Sequence, residues 1–132
     1  MFNRTIIHEL EQWKERRDRK PLMMLGARQV GKTSVLKKFG ADSFEHCAYF
    51  SLDEEEGVCD IFRKTKNPQQ IIEQLSYLTS EPILPHKTLL ILDEIQDCPE
   101  AISAMKYFCE KTPEYAVACA GSLLGLAFGH QG

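Results

Sequence analysis

Apolar side chains recur at helical spacing at Ile6, Ile7, Leu10 and Trp13, with polar residues between them. A stripe of that period makes one face of a helix apolar, so it predicts an amphipathic helix from Asn3 to about Arg17, ended by Pro21. PLMML, Pro21 to Leu25, is a short apolar run entering a glycine-rich turn, and Lys32 to Phe39 then reads as a helix closed by Gly40 in a capping position. Cys47 to Leu52 is a second apolar and aromatic run, followed by Asp53 and Glu56 at the spacing of a capping box. Asn67 with Pro68 starts another helix, whose buried face is expected to carry Ile71, Ile72, Leu75 and Leu78. Leu89 to Leu92 is apolar without alternation, the pattern of a strand covered on both faces. Cys98-Pro99-Glu100 opens a helix that Pro113 stops, and Tyr115 to Gly121 is a fourth strand-like run. Four strands alternating with helices predict an α/β fold, a parallel sheet with helices on both faces.

Composition adds limits. The chain has 132 residues, 43% hydrophobic and 27% charged, which suits one soluble globular core. Its apolar runs fall well short of the roughly 20 residues of a membrane-spanning helix, and the N-terminus lacks the marks of a secretory signal, so no membrane role and a cytoplasmic setting are expected. The five cysteines, Cys47, Cys59, Cys98, Cys109 and Cys119, are odd in number and show no CxxC spacing, which favours buried or idle thiols over a zinc site or a disulfide framework. The histidines His8, His46, His86 and His130 show no ligand spacing. Net charge is −3, with no general pull toward nucleic acid. The one basic cluster, Lys14 to Lys20, reads as a solvated helix end, with contact to nucleic acid or an acidic partner as the alternative.

Gly26-Ala-Arg-Gln-Val-Gly31-Lys32-Thr33 fits GxxxxGK[ST] at every defined position, between an expected strand and an expected helix. Glycines let backbone N–H groups converge on phosphates, and the following helix aims its unpaired amides and positive dipole end at the same place. Gly26, Ala27, Arg28, Gln29, Val30, Gly31, Lys32, Thr33 and Ser34 are therefore the expected nucleotide-binding run, although the side chains of Arg28 and Gln29 have no required part in it. Lys32 would reach the β- and γ-phosphates and Thr33 would offer its hydroxyl to Mg²⁺. Asp93 ends the buried strand, where it can also hold Mg²⁺, and Glu94 beside it is placed to activate a water, which favours hydrolysis over transfer to an acceptor. Gln96 stands where a GTPase would have glycine, and no NKxD motif occurs, so ATP is the expected nucleotide. Ser122, at the end of the fourth strand, is a candidate to contact the γ-phosphate or the water.

GARQVGKTSVLKKFG, LLILDEIQDCPEAISAMKYF and YAVACAGSLLG, in this order, resemble the AAA-like prokaryotic ATPases that carry a C-terminal DUF4143 domain. The resemblance implies an additional-strand, catalytic-glutamate P-loop NTPase fold. Gly26 to Thr33 would be Walker A, Asp93 and Glu94 Walker B, and Ser122 the first sensor. It also implies a sheet in which the fourth strand lies between the P-loop strand and the Walker B strand. With four candidate strands, residues 1–132 are expected to be a partial ATP-binding domain, with the helix at 3–17, the core at 21–126, and a stop before a fifth strand, lid and C-terminal domain.

The reading is thus MgATP binding and hydrolysis, with Lys32, Glu94 and Ser122 as catalytic candidates and Thr33 and Asp93 as metal ligands. The alternative is a nucleotide-binding module or switch without turnover on its own, and a P-loop small-molecule kinase is a further class. Expected partners are the nucleotide and, in a full-length protein, a second copy or a C-terminal effector domain.

Overall fold

The structure, a computed structural model, describes residues 4–26 and 31–122. In chain order the elements are α1 (Arg4–Glu15), β1 (Leu22–Leu25), α2 (Lys32–Ser43), β2 (His46–Ser51), α3 (Glu56–Lys64), α4 (Pro68–Ser76), β3 (Thr88–Asp93), α5 (Pro99–Lys111) and β4 (Ala116–Gly121). A single 3-10 turn, Ile95–Asp97, joins β3 to α5. The four strands form one parallel sheet in the order β1-β4-β3-β2. This is the α/β arrangement expected of the chain, with the fourth strand between the first and the third. Among the described residues, no helix is long and apolar enough to cross a membrane.

The two central strands explain the sheet's double coverage. β3 and β4 are buried at all positions, and successive residues point to opposite faces. Leu89, Ile91, Ala116, Ala118 and Ala120 pack with Leu10 of α1 and Val35, Leu36 and Phe39 of α2. Leu90, Leu92, Val117 and Cys119 join Phe62 of α3, Ile71 and Leu75 of α4, and Phe108 of α5 on the other face. Each fully buried Leu, Ile or Phe is worth about 1.5 to 3 kcal/mol by area, so this pair of cores dominates the stability. Register then fixes the site. Leu25 pairs with Gly121, Leu92 with Cys119 and Ser51 with Asp93, which brings the C-terminal ends of all four strands to one edge.

Local chemistry departs from the sequence expectations at several points. The first helix stops at Glu15 rather than at Arg17, because Arg19 folds back and donates from Nη1 to the Lys14 carbonyl at 3.0 Å. Its Nη2 also donates to the carbonyls of Pro113 and Glu114, at 3.2 and 3.0 Å. The guanidinium lies 5.6 Å from the Trp13 ring centroid. Part of the basic cluster is thus a buried brace between α1 and the start of β4 rather than a solvated helix end.

Gly40 is not a cap. α2 runs through it to Ser43, and a Cβ there would lie 2.6 Å from Cys47 Sγ and 3.2 Å from Leu89 Cδ2, so the glycine lets the helix sit close on the sheet. The Asp53–Glu56 capping box does not form either. α3 begins at Glu56 without a side-chain cap, Glu55 accepts a hydrogen bond from the Ser51 N–H at 2.8 Å, and Asp53 accepts from the Ser51 hydroxyl. Asn67 does cap α4, accepting from the N–H groups of Gln69 and Gln70 at 2.9 and 3.2 Å. That helix ends at Ser76, which leaves Leu78 52% exposed instead of buried. Finally, Cys59 and Cys98 form a disulfide with Cα atoms 5.8 Å apart, against the expectation of idle thiols. Cys47, Cys109 and Cys119 are free.

Candidate functional site

At the C-terminal edge of the sheet a cleft of about 360 Å³ is lined by Gly31, Lys32, Thr33, Ser34, Asp53, Asp93, Glu94, Gly121 and Ser122. Each comes from the end of a strand, the turn after it or the start of the following helix, the usual place for a ligand in an open α/β sheet. Of the expected nucleotide-binding run, Gly31 to Ser34 border this cleft and Gly26 closes β1, its N–H donating to the Gly121 carbonyl at 3.2 Å. Ala27, Arg28, Gln29 and Val30 lie outside the described residues.

Gly31 has φ 71°, a left-handed conformation that glycine adopts without steric cost, and it turns the chain into α2. No side chain caps that helix N-terminus. An α-helix start without a side-chain cap directs N–H donors and a partial positive charge outward, which suits an anion. Lys32, the first helical residue, adds an ammonium beside it, with Nζ 3.3 Å from the Gly26 carbonyl oxygen.

Asp93 is the centre of the polar network. It is 6% exposed. Its Oδ2 accepts from the Thr33 hydroxyl at 2.8 Å and the Tyr49 hydroxyl at 2.6 Å, and its Oδ1 accepts from the Glu94 N–H at 2.9 Å. Burial, then the hydrogen bond to Asp93 and its charge, push the Tyr49 phenol above the ordinary tyrosine range. The Thr33 hydroxyl and the Asp93 carboxylate therefore meet at one point, and both are hard oxygen donors of the kind that suits Mg²⁺. Both expected metal ligands are thus in contact.

Glu94 has φ 53°, in the left-handed region, which for a residue with a side chain stores strain. The sharp turn points the chain into the 3-10 turn and leaves the Glu94 carboxylate at the cleft. Its Oε1 accepts from Gln96 Nε2 at 2.8 Å, and Gln96 Oε1 accepts from the Ser122 N–H at 3.0 Å. Three participants were missed from the sequence. Tyr49 becomes visible only once β2 is in register with β3, which sets it two pairs before Asp93 on the same face. Asp53 carries a usable signal, an acid just after a strand, but its capping-box spacing to Glu56 competes with it. Gln96 has no mark in the sequence beyond standing where a GTPase would have glycine.

Residues 18–131 match a family model described as an AAA domain, AAA_14. No curated protein matches the chain. Among solved structures it is similar to the one titled "Structure of C. elegans PCH-2", at 13% identity and a TM-score of 0.52 over 92% of this chain. Identity that low makes this a likeness of fold, and the chain spans 38% of the length of that relative.

Proposed function

Because the chain belongs to the AAA domain family, we propose that it is the nucleotide-binding core of an ATPase that converts ATP and water to ADP and phosphate with Mg²⁺. One observation carries the reading. The Thr33 hydroxyl and Asp93 carboxylate meet at 2.8 Å beside an uncapped helix start that bears Lys32, and Glu94 opens into the same cleft.

In this reading the start of α2 and the Lys32 ammonium hold the terminal phosphates and offset their charge. Thr33 and Asp93 would hold the cation, and Mg²⁺ bound there would supply charge neutralisation. Glu94 takes a proton from water as the water oxygen bonds to the γ-phosphorus. The bond from that phosphorus to the β–γ bridging oxygen breaks, its electron pair leaves with ADP, and Glu94 then returns the proton to solvent or phosphate. Ser122, on the cleft wall at the end of β4, contacts the transferred phosphate. The three motif blocks around Gly31, Asp93 and Gly121 support a further proposal, that a full-length protein adds a DUF4143-type effector domain or self-associates in the cytoplasm.

Phosphate release and fluorescent-nucleotide binding test the reading. Lys32→Ala is expected to lose MgATP binding, whereas Glu94→Gln keeps binding and loses turnover by about 10²- to 10⁴-fold. Turnover in Glu94→Gln equal to the parent protein would remove the hydrolytic assignment.

A further inference from the structure

We propose that Gln96 is a positioning residue that ties the general-base candidate Glu94 to the end of β4, so that its carboxylate and Ser122 are set as one unit. The proposal rests on the hydrolytic reading of Glu94 and goes beyond it by naming what orients the base.

The Glu94 backbone is fixed on both sides: its N–H donates to Asp93 Oδ1 at 2.9 Å and its carbonyl accepts from the Asp97 N–H at 3.0 Å. The carboxylate itself still has rotatable bonds, and a base must lie within hydrogen-bond reach of the water it deprotonates. Gln96 supplies the restraint. Its amide donates from Nε2 to Glu94 Oε1 at 2.8 Å and accepts at Oε1 from the Ser122 N–H at 3.0 Å. An amide can do both from one side chain, whereas a carboxylate has no donor and an ammonium has no acceptor. The bridge is half-buried, where such bonds are less diluted by water.

Two backbone features make room for it. The left-handed Glu94 starts the 3-10 turn that brings Gln96 back over the strand ends. Gly121 supplies the second, because a Cβ there would stand 2.5 Å from Gln96 Oε1. A side chain at position 121 would displace the amide, so the glycine and the glutamine are matched. Gln96 need not touch substrate. It acts through Glu94.

The test compares Gln96→Ala and Gln96→Glu with Glu94→Gln, alone and combined, by single-turnover hydrolysis, MgATP affinity and amide hydrogen exchange at Ser122. Both Gln96 variants are expected to lose about 10- to 100-fold in rate, as misplacing a reacting group does, with MgATP affinity changed less than about threefold. In the Glu94→Gln background, Gln96→Ala should cost nothing more. Exchange at Ser122 should quicken in Gln96→Ala, which lacks an acceptor, and stay slow in Gln96→Glu, which keeps one. A parent-like rate in Gln96→Ala beside a slow Glu94→Gln overturns the proposal and leaves the hydrolytic reading standing. Equal further loss in the Glu94→Gln background, or unchanged exchange at Ser122, also overturns it. A parent-like rate in Glu94→Gln removes the hydrolytic reading and the proposal together.

Discussion

Asp93 shows how single residues set the site. A carboxylate 6% exposed is costly unless donors surround it, and here Thr33, Tyr49 and the Glu94 N–H do so. Tyr49 is the donor that neither belongs to the proposed metal-binding pair nor follows from the chain's turn. Tyr49→Phe is expected to cost about 1.5 to 3 kcal/mol in urea unfolding, the usual value for a hydrogen bond to a charged group. A pH dependence accompanies it. The folded state holds the Tyr49 proton above the ordinary value of about 10, by burial first and then by Asp93. Below that value folded and unfolded chains are both protonated and the contribution is fully present. As pH rises past about 10 the unfolded chain releases the proton first, so stability is lost. Unfolding midpoints from about pH 9 to about pH 11 should fall more steeply in the parent than in Tyr49→Phe. Tyr115 and Cys119, also pushed upward by burial, contribute to both proteins and cancel in the comparison. Equal slopes would mean that the Tyr49–Asp93 contact does not couple to folding. Spacing alone revealed Lys32, Thr33, Asp93 and Glu94 because a fixed motif or a strand end marks each. Tyr49 had no such mark: its role depends on which strand lies beside β3.

Within elements, periodicity placed helices and strands well and failed where a residue serves a tertiary contact. Gly40 is the clearest case. Glycine reads as a cap by default, since in mid-helix it costs about 1 kcal/mol relative to alanine. Here α2 continues past it, and the glycine is needed because Cys47 and Leu89 leave no space for a Cβ. Gly40→Ala therefore sets a gain in helix propensity against a clash with Cys47 Sγ at 2.6 Å and Cys47 Cβ at 3.1 Å. The clash is expected to win, with a net loss of about 1 to 3 kcal/mol, because β2 is part of the sheet and cannot retreat freely. Cys47→Ala removes the Sγ, so the double variant should recover part of that loss in chemical denaturation. A stabilised Gly40→Ala would show that α2 can lift from the sheet. Arg19 is a second such case: four of the other six residues from Lys14 to Lys20 are cationic, and only the fold brings the carbonyls of Pro113 and Glu114 to its guanidinium.

For the molecule as a whole, the alternation of apolar runs and helical stripes carried the parallel sheet, while the place of β4 between β1 and β3 came only through resemblance and that of β2 beside β3 only from the structure. Pattern records how deeply a strand is buried, not which strand lies beside it. The disulfide was hidden for a related reason, since Cys59 and Cys98 stand 39 residues apart and meet only when α3 packs against the start of α5. The bond closes a loop that runs from within α3 through α4, β3 and the 3-10 turn, so it restricts the unfolded chain more than it shapes the folded one. Loop-closure entropy for that length is worth up to about 4 kcal/mol. Oxidised protein, unfolded without reductant, should titrate thiols at Cys47, Cys109 and Cys119 only, and reduction should lower the unfolding free energy by about 2 to 4 kcal/mol. The fold itself should survive, because Phe62 and Phe108 remain in the same core. Cys98→Ser is expected to reproduce the loss and to be indifferent to reductant, which separates the bond from any general effect of reduction. Cysteine titration that finds all five thiols in the unreduced protein would show that the pair stays open, and the stability difference with reductant should then vanish as well.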